Sequence, residues 1–128
     1  MVTVTMEQIV DFKNNADFLG DAQLPLKAAY KINKLRKNVD SEFDYYSEKF
    51  REIVNTYAKK DENGNIAFSD DGAQILIQDG MVDECNQALV DLQTLEIEID
   101  NCNLTIDDLG DEVECTPDEL EVIMPFLS

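Results

Sequence analysis

Carboxylates are the side chains of this chain that could most readily do chemistry. The 128 residues include 28 Asp and Glu, and adjacent acids recur at Asp70-Asp71, Asp107-Asp108 and Asp111-Glu112. Two neighbouring carboxylates can hold Mg²⁺ or divide the roles of general acid and general base, because each shifts the pKa of the other. Adjacent acids are more typical of a solvated loop, and we interpret these pairs in that way.

The segment Asp61-Glu62-Asn63-Gly64-Asn65 has the alternating oxygen ligands with which a calcium-binding loop begins. A loop that starts at Asp61 places Ile66 where a Gly must allow the turn, and it places Gly72 where the bidentate Glu belongs. The segment therefore predicts a turn, and we expect no metal ligand and no cofactor in this protein.

Cysteine chemistry has equally little support. Cys85, Cys102 and Cys115 are odd in number and the chain has no His, so they match neither a zinc site nor a disulfide framework. The sequence also lacks a glycine-rich phosphate loop and a nucleophilic Ser between glycines, and it therefore predicts no catalytic residue and no enzyme. Free thiols and the lack of a secretory pattern at the N-terminus favour the cytoplasm of a host cell, or a virion, over secretion.

The distribution of charge is the most informative feature for function. All ten Lys and Arg lie in the first 60 residues together with nine acids, whereas the last 68 residues carry 19 acids and no basic residue. The net charge of −18 opposes direct binding to nucleic acid and to anionic membranes, except through the basic segment from Lys27 to Lys37. Such an asymmetry is typical of a protein that binds another protein.

Two charged segments supply the candidate partner-binding residues. The basic segment contains no acid between Asp21 and Asp40, and within it Lys31, Lys34 and Lys37 lie off the apolar stripe, so we expect them to be exposed. Salt bridges within the chain or between subunits are an alternative role for these lysines. The candidates are Lys27, Lys31, Lys34, Arg36, Lys37, Glu96, Glu98, Asp100, Asp107, Asp108, Asp111, Glu112 and Glu114.

A long amphipathic, coiled-coil-like helix is the strongest structural signal. Between Ala28 and Tyr57, nine apolar residues recur at steps of three and four without Gly or Pro, which predicts one helix over residues 24–60. Tyr30 and Tyr45 fall off this stripe, and we expect them to be exposed contacts with another protein.

Shorter helices are predicted from capping residues and apolar spacing. Thr5 and Gln8 form a capping box that opens a helix reaching about Leu19, and Thr116 and Glu119 form a second one with Pro117 at the first helical position. The apolar spacing over residues 81–95 predicts a further helix.

Alternating residues over 95–99 predict a strand, and the turn residues within 65–77 predict a small hairpin. The predicted fold class is α+β, in which two to three shorter helices pack on the long amphipathic helix beside a small antiparallel β element. We find no internal repeat and no linker, so we expect a single domain over residues 1–128.

The order of turn and cap motifs carries a resemblance. The long helix is followed by the stretch Tyr57-Ala58-Lys59-Lys60-Asp61-Glu62-Asn63-Gly64. A later helix ends at the segment Leu95-Glu96-Ile97-Glu98-Ile99, and the last motif is Thr116-Pro117-Asp118-Glu119-Leu120. This layout, which spans most of residues 24–127, resembles that of small uncharacterised tailed-phage proteins. Those families have no assigned activity, so the resemblance implies no functional residue. It implies a virion or assembly component, or an early protein that disarms the host.

Two functions follow from these observations. The first is protein–protein interaction or a structural role in a phage particle or its assembly, with a virion protein or a second copy of the chain as partner. In a homo-oligomer, unlike ends of the charged chain would attract each other head to tail. The alternative is an acidic anti-defence protein that mimics nucleic acid and blocks a host nuclease or regulator.

Overall fold

The structure, a computed structural model, describes residues 1–21, 23–110 and 113–128. This part of the chain forms six α-helices and a two-stranded antiparallel sheet, which confirms the predicted α+β fold class. The elements are β1 (Val2–Thr5), α1 (Met6–Asn15), α2 (Asp17–Asp21), α3 (Leu26–Tyr57), α4 (Val82–Gln93), β2 (Glu96–Ile99), α5 (Ile106–Leu109), α6 (Pro117–Ile123) and a 3-10 turn at Met124–Phe126.

Two compact units are formed, the first by residues 1–45 and 94–128 and the second by residues 46–93. Helix α3 contributes residues to both units. The single domain over residues 1–128 stays a prediction.

Helix α3 is the predicted long helix, and it begins two residues later and ends three residues earlier than predicted. In the first unit it buries Ala28, Ile32, Leu35 and Val39 of the predicted stripe, whereas Phe43, the fifth member there, is half-buried. It ends at Tyr57 because the next residues enter β-bridges instead of continuing the helix. No helix among the described residues is both long and apolar enough to cross a membrane.

The sheet of the first unit pairs β2, which was predicted, with β1, which was not. Val2 lies opposite Ile99 and Val4 opposite Ile97, and Val4 and Ile99 are buried. The other face of the pair carries threonines and glutamates, so each strand has one apolar and one polar face.

Helix α1 opens with the predicted capping box. The Thr5 hydroxyl accepts a hydrogen bond from the Gln8 backbone N–H, and the Gln8 side chain accepts one from the Thr5 N–H. The apolar face of α1 packs on α6, and the rings of Phe12 and Phe126 lie 4.7 Å apart between centroids. The predicted helix to about Leu19 is divided, because α1 ends at Asn15 and α2 begins after Ala16.

A turn after β2 joins three parts of the first unit. The fully buried Asn101 donates from Nδ2 to the Phe126 carbonyl and to the Ser128 hydroxyl, both at 2.8 Å, so it holds the C-terminal segment. Asn38 of α3 donates to the Asp100 carbonyl at 2.9 Å, so the same turn lies against α3.

Backbone conformation makes that turn tight. Cys102 and Asn103 have φ values of 54° and 57°, in the left-handed region that non-glycine residues rarely occupy. Side chains of the two preceding residues support this conformation, since Asp100 accepts from the Cys102 N–H at 2.8 Å and Asn101 from the Asn103 N–H at 3.2 Å.

The second unit contains three short segments that are hydrogen-bonded in a closed ring. Lys59 N–H donates to the Leu76 carbonyl, Leu76 N–H to the Ala67 carbonyl, and Ala67 N–H to the Lys59 carbonyl, at 2.8 to 3.0 Å. The predicted hairpin is present in a short form, with an antiparallel bridge between Phe68 and Ile75 and backbone hydrogen bonds from Ser69 to Gln74 and from Leu76 to Ala67.

Turns of the second unit recur every eight residues, at the dipeptides that end in Gly64, Gly72 and Gly80. Their φ values of 71° to 80° explain why Gly follows Asn or Asp at each turn. This short period corrects the expectation that the chain has no internal repeat.

The buried stripe of α3 should dominate the stability of the first unit. Leu35 is fully buried and Leu26, on the same helix, is 86% exposed. We expect Leu35→Ala to lower the free energy of unfolding by about 2–5 kcal/mol, whereas Leu26→Ala should change it by less than about 0.5 kcal/mol. Urea denaturation followed by circular dichroism measures both, and equal effects of the two substitutions would contradict the assigned burial.

Substitution of Asn101 should lower the free energy of unfolding almost as much as substitution of Leu35. Asn101→Ala removes the donor to the buried Phe126 carbonyl, and we expect a loss of about 1–3 kcal/mol in the free energy of unfolding. Asn103→Gly is the matched control two residues away, because Gly adopts a positive φ without strain and should leave stability unchanged or slightly higher. A larger loss for Asn103→Gly than for Asn101→Ala in urea titrations would refute this account of the turn.

Candidate partner-binding surface

One face of α3 over residues 26–37 is exposed except at Lys31, and it carries most of the basic candidates. At about 100° per residue, six of the residues in 26–37 fall within an arc of about 140° on the side away from the buried stripe. These residues, which we call the α3 face, are Leu26, Lys27, Tyr30, Lys31, Lys34 and Lys37.

A groove with a mostly apolar wall lies at the first turns of this face. It has a volume of about 460 Å³ and is lined by Leu26, Lys27, Tyr30, Lys31 and Cys102. We call it the α3 groove. Leu26 is 86% exposed and Tyr30 60% exposed, so the exposure predicted for Tyr30 is confirmed.

Lys34 lies over the ring of Tyr30, which lines the groove. Its Nζ atom is 5.6 Å from the centroid of the Tyr30 ring, which is a cation–π contact. Interaction with the Tyr30 side chain, and to a lesser degree with Cys102 and Asp100, raises the pKa of Lys34 above its ordinary value of 10.5. Lys34 therefore keeps its positive charge at neutral pH while it contacts an aromatic ring.

Lys31 is not exposed as predicted, because it is half-buried and forms an ion pair. Its Nζ atom lies 3.0 Å from Oδ2 of Asp108 in α5. The Asp108 carboxylate also accepts from the Thr105 N–H at 2.9 Å and completes a capping box at the start of α5. Two partner-binding candidates, Lys31 and Asp108, thus form an ion pair with each other within the first unit. This is the outcome that the alternative of internal salt bridging predicts.

Arg36 and Lys37 do not extend the groove. The Arg36 side chain is half-buried and lies near Gly20, where it lines a separate cleft of about 230 Å³ with residues of α1 and α2. Lys37 is exposed on the α3 face. The basic segment is therefore divided between two sides of the helix.

The acidic candidates lie on several elements of the first unit. Glu96 and Glu98 are exposed on the polar face of the sheet, opposite Thr5 and Thr3. Asp100 is exposed in the turn after β2, where its carboxylate accepts from a backbone N–H. The remaining exposed candidates are Asp107 and Glu114, and Asp111 and Glu112 lie outside the described residues.

Two of the acidic segments considered for metal binding cap turns. Asp61 accepts hydrogen bonds from the backbone N–H groups of Asn63 and Asn65, at 2.9 and 3.0 Å. Asp71 accepts from the Ser69 hydroxyl and from the Ala73 N–H, and these bonds lower its pKa. Among the described residues, no group of three or more His, Cys, Asp or Glu is placed to hold a metal ion.

Sequence reasoning missed two walls of the groove. Leu26 lies off the apolar stripe at the start of α3, a signal that could have marked it as an exposed apolar residue. Cys102 had no such signal, because it reaches the groove through the left-handed turn after β2. All three cysteines are free, and Cys85, Cys102 and Cys115 are buried, half-buried and exposed in turn.

The Asp108 carboxylate should give the protein a measurable pH dependence. Its pKa is lowered from the ordinary value of 3.8, first by the Thr105 N–H and then by Lys31. A depressed pKa stabilises the fold above the unfolded-state value, and this contribution disappears as pH falls through the folded-state value. We expect the unfolding free energy of Asp108→Asn to fall less than that of the wild type when urea titrations are run from pH 5 downwards. Asp107→Asn is the adjacent exposed control, and identical pH profiles for Asp108→Asn and the wild type would contradict the assignment.

Comparison of the chain with protein-family models, with curated proteins and with solved structures returns no match.

Proposed function

We propose that this chain is a non-enzymatic binding protein that contacts another protein through the α3 face. The observation that carries the proposal is the exposure of Leu26 and Tyr30 side by side in a groove with lysines on its rim. The resemblance to small tailed-phage proteins suggests where this binding takes place. In this proposal the protein acts in a phage particle or its assembly, in the host cytoplasm or in the virion.

Interface physics supports this assignment. Exposed apolar patches with a polar rim are typical of protein contact sites, and Tyr is enriched at the centres of such sites. Tyr30 offers a large ring and a hydroxyl group, while Lys27 and Lys34 supply charged positions at the edge. Apolar surface covered by a partner contributes affinity, and the charged rim contributes specificity and the rate of association.

A second function is supported by the exposed carboxylates. Glu96 and Glu98 alternate on the open face of β2, with Asp107 and Glu114 also exposed in the first unit. Carboxylates on an accessible face could occupy the basic cleft of a nuclease or regulator in place of nucleic-acid phosphates. In this alternative the acids would be the contact residues and the α3 face would be unimportant.

Two matched sets of substitutions separate these functions. The basic set changes Lys27, Lys34 and Lys37 to Gln, and the acidic set changes Glu96, Glu98 and Asp107 to their amides. Each set alters three exposed charges, and Lys31 is left intact because its loss would break the ion pair with Asp108.

Proteins captured from the native source by the immobilised wild type are identified by mass spectrometry, purified and titrated by calorimetry. We expect the basic set to weaken binding of the captured protein by about tenfold or more and the acidic set to leave it within about twofold. The reverse pattern would support nucleic-acid mimicry. Unchanged affinity in both sets would refute both functions, and circular dichroism verifies that each variant is folded.

A further inference from the structure

The walls of the α3 groove are too exposed for a small molecule. Small-molecule sites commonly bury about 70–90% of the ligand surface. Leu26 and Tyr30 remain 86% and 60% exposed, so a ligand seated between them would stay largely in water. A protein segment, in contrast, covers the outer surfaces of both side chains while one of its own side chains enters the groove.

The geometry favours a helix over an extended strand as that segment. Leu26, Tyr30 and Lys34 are spaced at i, i+4 and i+8, so they form one ridge about 12 Å long on α3. The opposite wall, at Cys102, is a turn. Strand addition requires a free sheet edge, and neither wall supplies one, whereas an amphipathic helix needs only a groove with apolar walls.

The charges of the groove specify the polar face of that helix. No carboxylate among the described residues forms an ion pair with Lys27 or Lys34. Lys31, on the same wall, already binds the Asp108 carboxylate at 3.0 Å. Asp100 attracts Lys34 without forming an ion pair with it. A basic segment would be repelled by both lysines as the apolar contact excluded water, whereas an acidic one would pair with them.

We infer, on the basis of the proposed function, that the α3 groove binds an acidic amphipathic helix of a different protein. One apolar side chain of that helix enters between Leu26 and Tyr30, and its carboxylates pair with Lys27 and Lys34. The net charge of −18 opposes this partner only at long range, because salt at about 0.15 M screens charges separated by more than about 8 Å. The same net charge makes a second copy of the chain a poorer occupant, since each molecule would bring the full excess of acids.

Three fluorescent peptides test the inference on the full chain. The first is an acidic helical peptide with Leu anchors four residues apart, the second replaces those anchors with Ser, and the third replaces its Glu residues with Lys. Fluorescence anisotropy at about 0.15 M salt should show the first peptide binding about tenfold or more tightly than either of the others. A first peptide that fails to bind at about 1 mM, or a Lys peptide that binds better, would overturn the inference.

Variants of the chain locate the binding. Lys27→Gln with Lys34→Gln, and separately Tyr30→Ser, should weaken the acidic peptide by about tenfold. Arg51→Gln with Lys60→Gln is the control, since it removes the same charge from exposed positions in the second unit and should have no effect. Equal losses in both double variants would mean charge attraction without a groove, which contradicts the inference.

Failure of the inference and failure of the proposed function give different results. If the captured native protein requires Lys27, Lys34 and Lys37 but the acidic peptide does not compete with it, the function stands and the inference is wrong. If sedimentation velocity shows wild-type self-association that the Lys27→Gln, Lys34→Gln variant abolishes, the occupant is a second copy and the inference is again wrong. Competition by the acidic peptide, with a monomeric wild type, supports both.

Discussion

The hydrogen bonds of one buried amide, Asn101, hold together the part of the first unit that forms the candidate surface. Because the site is buried, loss of the Asn101 amide would leave the Phe126 carbonyl without a hydrogen-bond donor. Water could not take the place of that donor, so the fold would be destabilised. The amide oxygen also supports the left-handed backbone of the turn, which brings Cys102 to the groove wall. A contact with the C-terminal segment, far from α3 in sequence, therefore sets the position of one wall of the α3 groove.

Electrostatics imposes a second constraint, because a chain with a net charge of −18 has few cations and many acids that can neutralise them. The Lys31–Asp108 pair is one site of neutralisation, and it fastens α5 to α3. Lys27 and Lys34 remain outside ion pairs among the described residues, and Lys34 contacts an aromatic ring instead of a carboxylate. The basic character of the α3 face is therefore local, and it would be recognised at contact distance, not at long range.

Most features encoded by local spacing could be predicted from the sequence, although the capping box of Thr105 and Asp108 was missed, and features that depend on distant contacts could not. The capping boxes at Thr5 and Thr116 and the stripe of α3 require only residues within a few turns of each other, and all were predicted. Strand β1 was missed although Val and Thr alternate in it, because four residues form a strand only through their partner β2, more than 90 positions later. The groove was missed for the same reason, since Cys102 approaches Tyr30 only after the turn at Asn101 forms.

The two faces of α3 have separate physical roles. Ala28, Ile32 and Leu35 are removed from water when the chain folds, so burial of their apolar surface stabilises the fold. The same surface cannot contribute again to the free energy of binding a partner. Leu26 stays in water in the folded protein, and Tyr30 is more than half exposed, so most of their apolar surface contributes only when a partner covers it. The buried stripe, the Asn38–Asp100 hydrogen bond and the Lys31–Asp108 ion pair hold α3 in place. The helix can therefore carry exposed apolar residues on the opposite face at little cost to the fold. Except at Lys31, substitutions on the α3 face can change binding without changing stability, so their effects can be assigned to a partner.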